Sequence, residues 1–68
     1  MNFINQARRD KGLTLEAMAR KMNMSRGGYA KLEYGTNKLT LRRFIEICNV
    51  LDLDIASAIK EVKDNESY

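Results

Sequence analysis

Histidine, proline and tryptophan are absent from the 68 residues, and cysteine occurs once, as Cys48. Without histidine and with a single thiol, neither a structural zinc site nor a haem site can be assembled, and no internal disulfide can form. Cys48 falls on the apolar side of a predicted helix, so it reads as a small core residue and not as a reactive thiol. There is no Gly-rich phosphate loop and no nucleophile with a partner at recognisable spacing. So short a chain also leaves little room for a substrate cavity, and no catalytic role, metal or cofactor is expected. No apolar run approaches the roughly 18 residues needed to span a bilayer. Nothing resembles a secretory leader, and the expected location is the cytoplasm.

Size and charge bound the rest. Residues 1–68 read as one domain with a polar, frayed tail over 64–68, and a chain this short buries only about 60% of the surface its unfolded form exposes. Its stability margin is expected to be thin. The formal charge of +3 hides an asymmetry: residues 1–43 hold ten Lys and Arg against Asp10, Glu16 and Glu33, whereas residues 44–68 hold two against six acidic side chains. A positive field concentrated on one part of a small domain favours a polyanionic partner.

Apolar spacing predicts an all-α fold of five helices. The first spans about Asn2 to Lys11 with Phe3, Ile4 and Ala7 inward, and Gly12 ends it. In the second, Leu15, Met18, Ala19 and Met22 follow the i, i+3, i+4, i+7 rule. The third offers only Tyr29 and Leu32 to the interior, which leaves most of its surface for a ligand. Thr40 reads as the cap of a fourth helix from Leu41 to about Leu51, with Leu41, Phe44, Cys48 and Leu51 inward and Ile45 and Ile47 flanking. Asp52 marks a turn and Asp54 a further cap, before a helix ending near Lys63 whose stripe is Ile55, Ala58, Ile59 and Val62. Leu51 to Ile55 alternates like a strand, but it is short and carries two Asp, which disfavour strands.

The stretch from Leu13 to Gly35, LTLEAMARKMNMSRGGYAKLEYG, has a particular order. The Thr14 hydroxyl caps a helix from Leu15 to about Met22. Asn23, which tolerates the left-handed conformation, makes the turn. Ser25 caps a second helix from Arg26 to about Tyr34, and Gly35 stands where a left-handed C-terminal residue is wanted. Two capped helices joined by a tight turn are how a small protein places a helix in a DNA groove.

These residues, together with Gly12-Leu13-Thr14, Leu32-Glu33-Tyr34-Gly35, Leu41, Phe44, Leu51 and Asp52-Leu53-Asp54, resemble the lambda repressor-like and Cro (XRE) helix-turn-helix family over nearly the whole chain. The resemblance implies a five-helix domain, with its helix-turn-helix at helices two and three, that binds an operator as a homodimer. By position it implies base-reading roles for Arg26, Gly27, Gly28 and Lys31 at the start of helix three. Arg26 has the fork needed to donate twice to guanine. Gly27 and Gly28 stand where the family usually has Ser, Thr or Gln. Each lowers helix stability by roughly 0.8–1 kcal/mol relative to Ala, and close approach of the backbone to DNA would offset that cost.

The resemblance further implies phosphate contacts from the loop and helix start that hold Asn37, Lys38, Arg42 and Arg43. Two cations in the first turn of a helix are unfavourable for its dipole unless an anion lies nearby. Thr14 and Ser25 join this set, Thr14 because the family's Gln at the start of helix two is here Leu15, to which only packing is assigned. Arg8 and Glu33 match a structural ion pair between helices one and three. The stripe Ile55, Ala58, Ile59 and Val62 either forms the dimer interface or closes the core. The expected activity is transcriptional regulation, as a repressor on a palindromic operator. The rival reading is a helical protein-interaction module, such as an antitoxin that grips a cognate toxin or a regulator that contacts RNA polymerase.

Overall fold

The limits of each helix are set by groups that satisfy its free backbone ends. In the computed structural model, which describes residues 2–35 and 38–65, the helices among the described residues are α1 (Asn2–Asp10), α2 (Leu15–Lys21), α3 (Arg26–Tyr34), α4 (Leu41–Val50) and α5 (Ile55–Asn65), with no strand. Thr14 Oγ1 accepts from Ala17 N and Ser25 Oγ from Gly28 N, both at 3.0 Å, and Thr40 Oγ1 accepts from Arg43 N at 3.2 Å. Asp54 Oδ2 caps α5 by accepting from Ser57 N and Ser57 Oγ, each at 3.0 Å. All four caps are residues that the sequence marks, for the reason that a short side-chain oxygen reaches the third amide of the following turn.

Corners between helices use left-handed residues. Asn23 (φ 55°) turns α2 into α3, Asp52 (φ 56°) turns α4 toward α5, and Gly12 and Gly35 close α1 and α3 at φ 72° and 78°. Three helices stop one residue earlier than the spacing predicts, α1 at Asp10, α2 at Lys21 and α4 at Val50, with Met22 and Leu51 as C-caps. Helix α5 runs to Asn65, past the expected end near Lys63 and into the expected tail, of which residues 66–68 lie outside the described residues.

The core is built around Ile4 of α1, Met18, Ala19 and Met22 of the α2 turn, Tyr29 and Leu32 of α3, and Phe44, Ile47, Cys48 and Leu51 of α4, closed by Ala58 of α5. Two assignments within α4 change. Leu41, expected inside, is 68% exposed, and Ile47, expected at the flank, is 1% exposed. The buried arc is Phe44, Ile47, Cys48 and Leu51, again at i, i+3, i+4, i+7. Leu41 shares that register but sits at the first helical position, beyond the part of α4 that packs on the core. In α3 the interior takes Ala30 and Glu33 as well as Tyr29 and Leu32, so less of that helix is uncovered than expected. Among the described side chains of the α5 stripe only Ala58 is buried. Ile55 and Ile59 are 37% and 50% exposed, so they do not close the core, and the Val62 side chain lies outside the described residues.

Candidate nucleic-acid interface

Helices α2 and α3 are locked by a short corner. Met22 N and Met24 N both donate to Ala19 O, at 3.0 and 2.9 Å, and Asn23 N donates to Arg20 O at 3.1 Å, so these amides stay paired while Asn23 absorbs the left-handed step. Behind this corner a buried polar cluster fixes α3 to α1. Arg8 Nε donates to Glu33 Oε2 at 2.7 Å and Arg8 Nη2 to Glu33 Oε1 at 3.2 Å, while Arg8 Nη1 donates to Leu13 O at 2.7 Å. Asn5 Nδ2 adds a bond to Glu33 Oε1 at 2.8 Å.

Burial alone would raise the Glu33 pKa, but the bonds from Arg8 and Asn5 and the Arg8 charge outweigh it and hold the carboxyl below its ordinary range. Desolvation of a charged group is offset here by hydrogen bonds to the charged form. Tyr29, fully buried one turn before Glu33, places its hydroxyl beside this carboxylate without full hydrogen-bond geometry. Burial first, and then the neighbouring anion, push the phenol far above its usual value. The Arg8–Glu33 pair is the one the resemblance implies. Asn5 and Tyr29 were not singled out, although both lie one helical turn from a member of the pair and so were within reach of an i, i+3 or i, i+4 reading.

The outward side of α3 carries the residues assigned to base reading. Arg26, Gly27 and Lys31 are exposed, and Gly28 is half-buried. The two glycines differ. A Cβ on Gly28 would meet Ser25 Oγ at 3.0 Å and Met24 Cε at 3.7 Å, whereas a Cβ on Gly27 would meet nothing within 4 Å. The chain itself therefore explains a missing side chain at Gly28 and not at Gly27. Tyr34, 69% exposed, lies on the same stripe and was missed by the sequence reading. Its spacing from Gly27 and Lys31, i+7 and i+3, is the signal that could have found it.

Most of the residues assigned to phosphates are exposed. Thr14 and Ser25 are exposed caps. Each hydroxyl oxygen already accepts a backbone bond, which leaves its O–H available as a donor. Lys38 and Arg42 are exposed, and Asn37 lies outside the described residues. Arg43 is half-buried and is partnered within its own helix, Nη1 donating to Glu46 Oε1 at 3.2 Å. That contact relieves part of the unfavourable charge at the α4 N-terminus, a role for Glu46 that the i, i+3 spacing allows and the sequence reading did not draw. No helix among the described residues is long and apolar enough to cross a membrane.

The helix-turn-helix family model matches residues 4–57, from the first core residue of α1 to the first turn of α5. No curated protein and no solved structure matches the chain. The match covers the capped pair α2–α3, the Arg8–Glu33 tie and the start of α4 together, and the chain belongs to the lambda repressor-like (XRE) helix-turn-helix family of DNA-binding transcription regulators.

Proposed function

We propose that the protein is a sequence-specific repressor that occupies a palindromic operator as a homodimer, with α3 in the major groove. The observation that carries this reading is the outward side of α3, where Arg26 and Lys31 flank a glycine that no part of the chain covers. Arg26 donates to the O6 and N7 of guanine and Lys31 to a neighbouring acceptor, while Gly27 lets the helix backbone approach the bases and Gly28 keeps the cap compact. Thr14, Ser25, Asn37, Lys38, Arg42 and Arg43 hold the flanking phosphates, which fixes register without reading sequence. Two copies related by a two-fold reach successive major grooves about 34 Å apart. Ile55 and Ile59, exposed beside the buried Ala58, are the apolar surface for that pairing.

Selection of bound sites from a random duplex pool tests the whole reading at once. A palindromic consensus is expected, with binding that weakens steeply as salt rises. Sedimentation at micromolar concentration should give a dimer. The exposed Leu41, Ile55 and Ile59 favour a second reading, a module that grips a toxin or RNA polymerase. Failure to retain any duplex at moderate salt would support it.

A further inference from the structure

On an ideal helix, successive residues turn by about 100°, so Tyr34 projects within about 20° of Gly27 and Lys31 within about 40° of it. The three form a single line of exposed positions opposite the buried Tyr29, Leu32 and Glu33, with the buried Ala30 at its edge, about 40° from Tyr34. Tyr34 is the most exposed large hydrophobic residue among those described, at 69%. Gly35 turns the chain away directly after it in the left-handed conformation. An exposed aromatic ring aligned with exposed cations is a surface for a ligand that has both anionic and apolar features. A DNA groove offers both.

We infer that Tyr34 is a further specificity-determining residue, whose ring packs on the C5 methyl group of a thymine at the far end of each half-site. The inference rests on the repressor reading above. Arg26 and Lys31 supply hydrogen-bond donors to the stripe, and Tyr34 supplies its apolar contact. The thymine methyl is the one apolar mark on the major-groove edge of the bases. Along the helix axis Tyr34 stands about 10 Å beyond Gly27, which is the rise of about three base pairs.

The test uses the full chain and the site it selects. Each thymine of that site is replaced singly by deoxyuridine, which removes only the methyl group, and binding is measured for the wild type, Tyr34→Phe and Tyr34→Ala. One replacement per half-site should weaken the wild type and Tyr34→Phe by about three- to fivefold, the factor expected for losing one buried methyl contact. The same replacement should leave Tyr34→Ala unchanged, and Tyr34→Ala should bind the unmodified site about ten- to twenty-five-fold more weakly, because the homodimer loses the contact in both half-sites. Because Tyr34 is exposed, all three proteins should unfold at the same temperature.

A wild type indifferent to every replacement overturns the inference, as does a sensitivity that persists in Tyr34→Ala. Tyr34→Phe losing as much as Tyr34→Ala would move the contact to the hydroxyl, and hence to a phosphate, and also overturns it. All these outcomes leave the repressor reading standing. A wild type that selects no duplex overturns both.

Discussion

Arg8 and Glu33 meet fork to fork between α1 and α3, at 2.7 Å from Nε to Oε2, with side chains only 8% and 1% exposed. Removing either partner leaves the other charge buried without its counter-charge. Arg8→Ala and Glu33→Ala should each cost about 3–5 kcal/mol, a large share of the stability of so small a domain. Urea unfolding would show this as a lower midpoint at nearly constant slope. Arg8→Lys keeps the charge but not the planar fork that reaches both Glu33 oxygens and Leu13 O, and it should recover only part of the loss.

Acid should expose the same cluster. The native Glu33 carboxyl titrates below its ordinary value of 4.5, so the unfolded chain binds a proton there before the folded one does. Its contribution to stability is complete above that ordinary value and is lost as pH falls through the lower native pKa. Thermal midpoints measured downward from neutral pH should drop in this window. Glu33→Gln should start lower and lose that part of the pH dependence.

The two glycines of α3 should answer differently to alanine. Gly27→Ala enters open space on an exposed helix and should stabilise the isolated protein by up to about 1 kcal/mol. Gly28→Ala crowds the Ser25 hydroxyl that caps the helix, so its gain should be smaller or reversed. If Gly27 lies against DNA, Gly27→Ala should also weaken binding while the melting temperature rises, a split that thermal melts and gel shifts on one preparation would reveal.

Lys38→Ala and Arg43→Ala should each reduce the slope of log affinity against log salt by about 0.9 if both side chains neutralise phosphates. Glu46 acts in the opposite sense. It holds Arg43 by an ion pair at 3.2 Å, so Glu46→Gln should release the guanidinium and tighten binding at fixed salt, with no such gain when Arg43 is already replaced.

Local chemistry made α3 legible to the residue. Ser25, Asn23 and Gly35 each act within one turn of themselves, and the helix runs from Arg26 to Tyr34 as the spacing predicts. What escaped depends on neighbours distant in sequence. Leu41 fits the apolar register of α4 as well as Phe44 does, and only the arrangement of the other helices decides which is covered. Ile55 and Ile59 share one apolar stripe with Ala58, yet only Ala58 meets the core. Asn5 lies one turn from Arg8 and Tyr29 one turn from Glu33, but that Asn5 bonds the carboxylate of α3 follows from the packing of α1 on α3. Tyr34 escaped for another reason, since as the last residue of α3 it was given no role, although its spacing from Gly27 and Lys31 places it on their line.

One guanidinium thus clasps three parts of the chain: its own helix, the carbonyl of Leu13 where the chain bends toward α2, and the carboxylate of α3. Tilting α3 would break both bonds from Arg8 to Glu33 at once, together with the one from Asn5. The α1–α3 segment is then a stiff tool, and any misfit with a binding site has to be absorbed by bending of the duplex or by rotation between two copies, not by the reading helix itself.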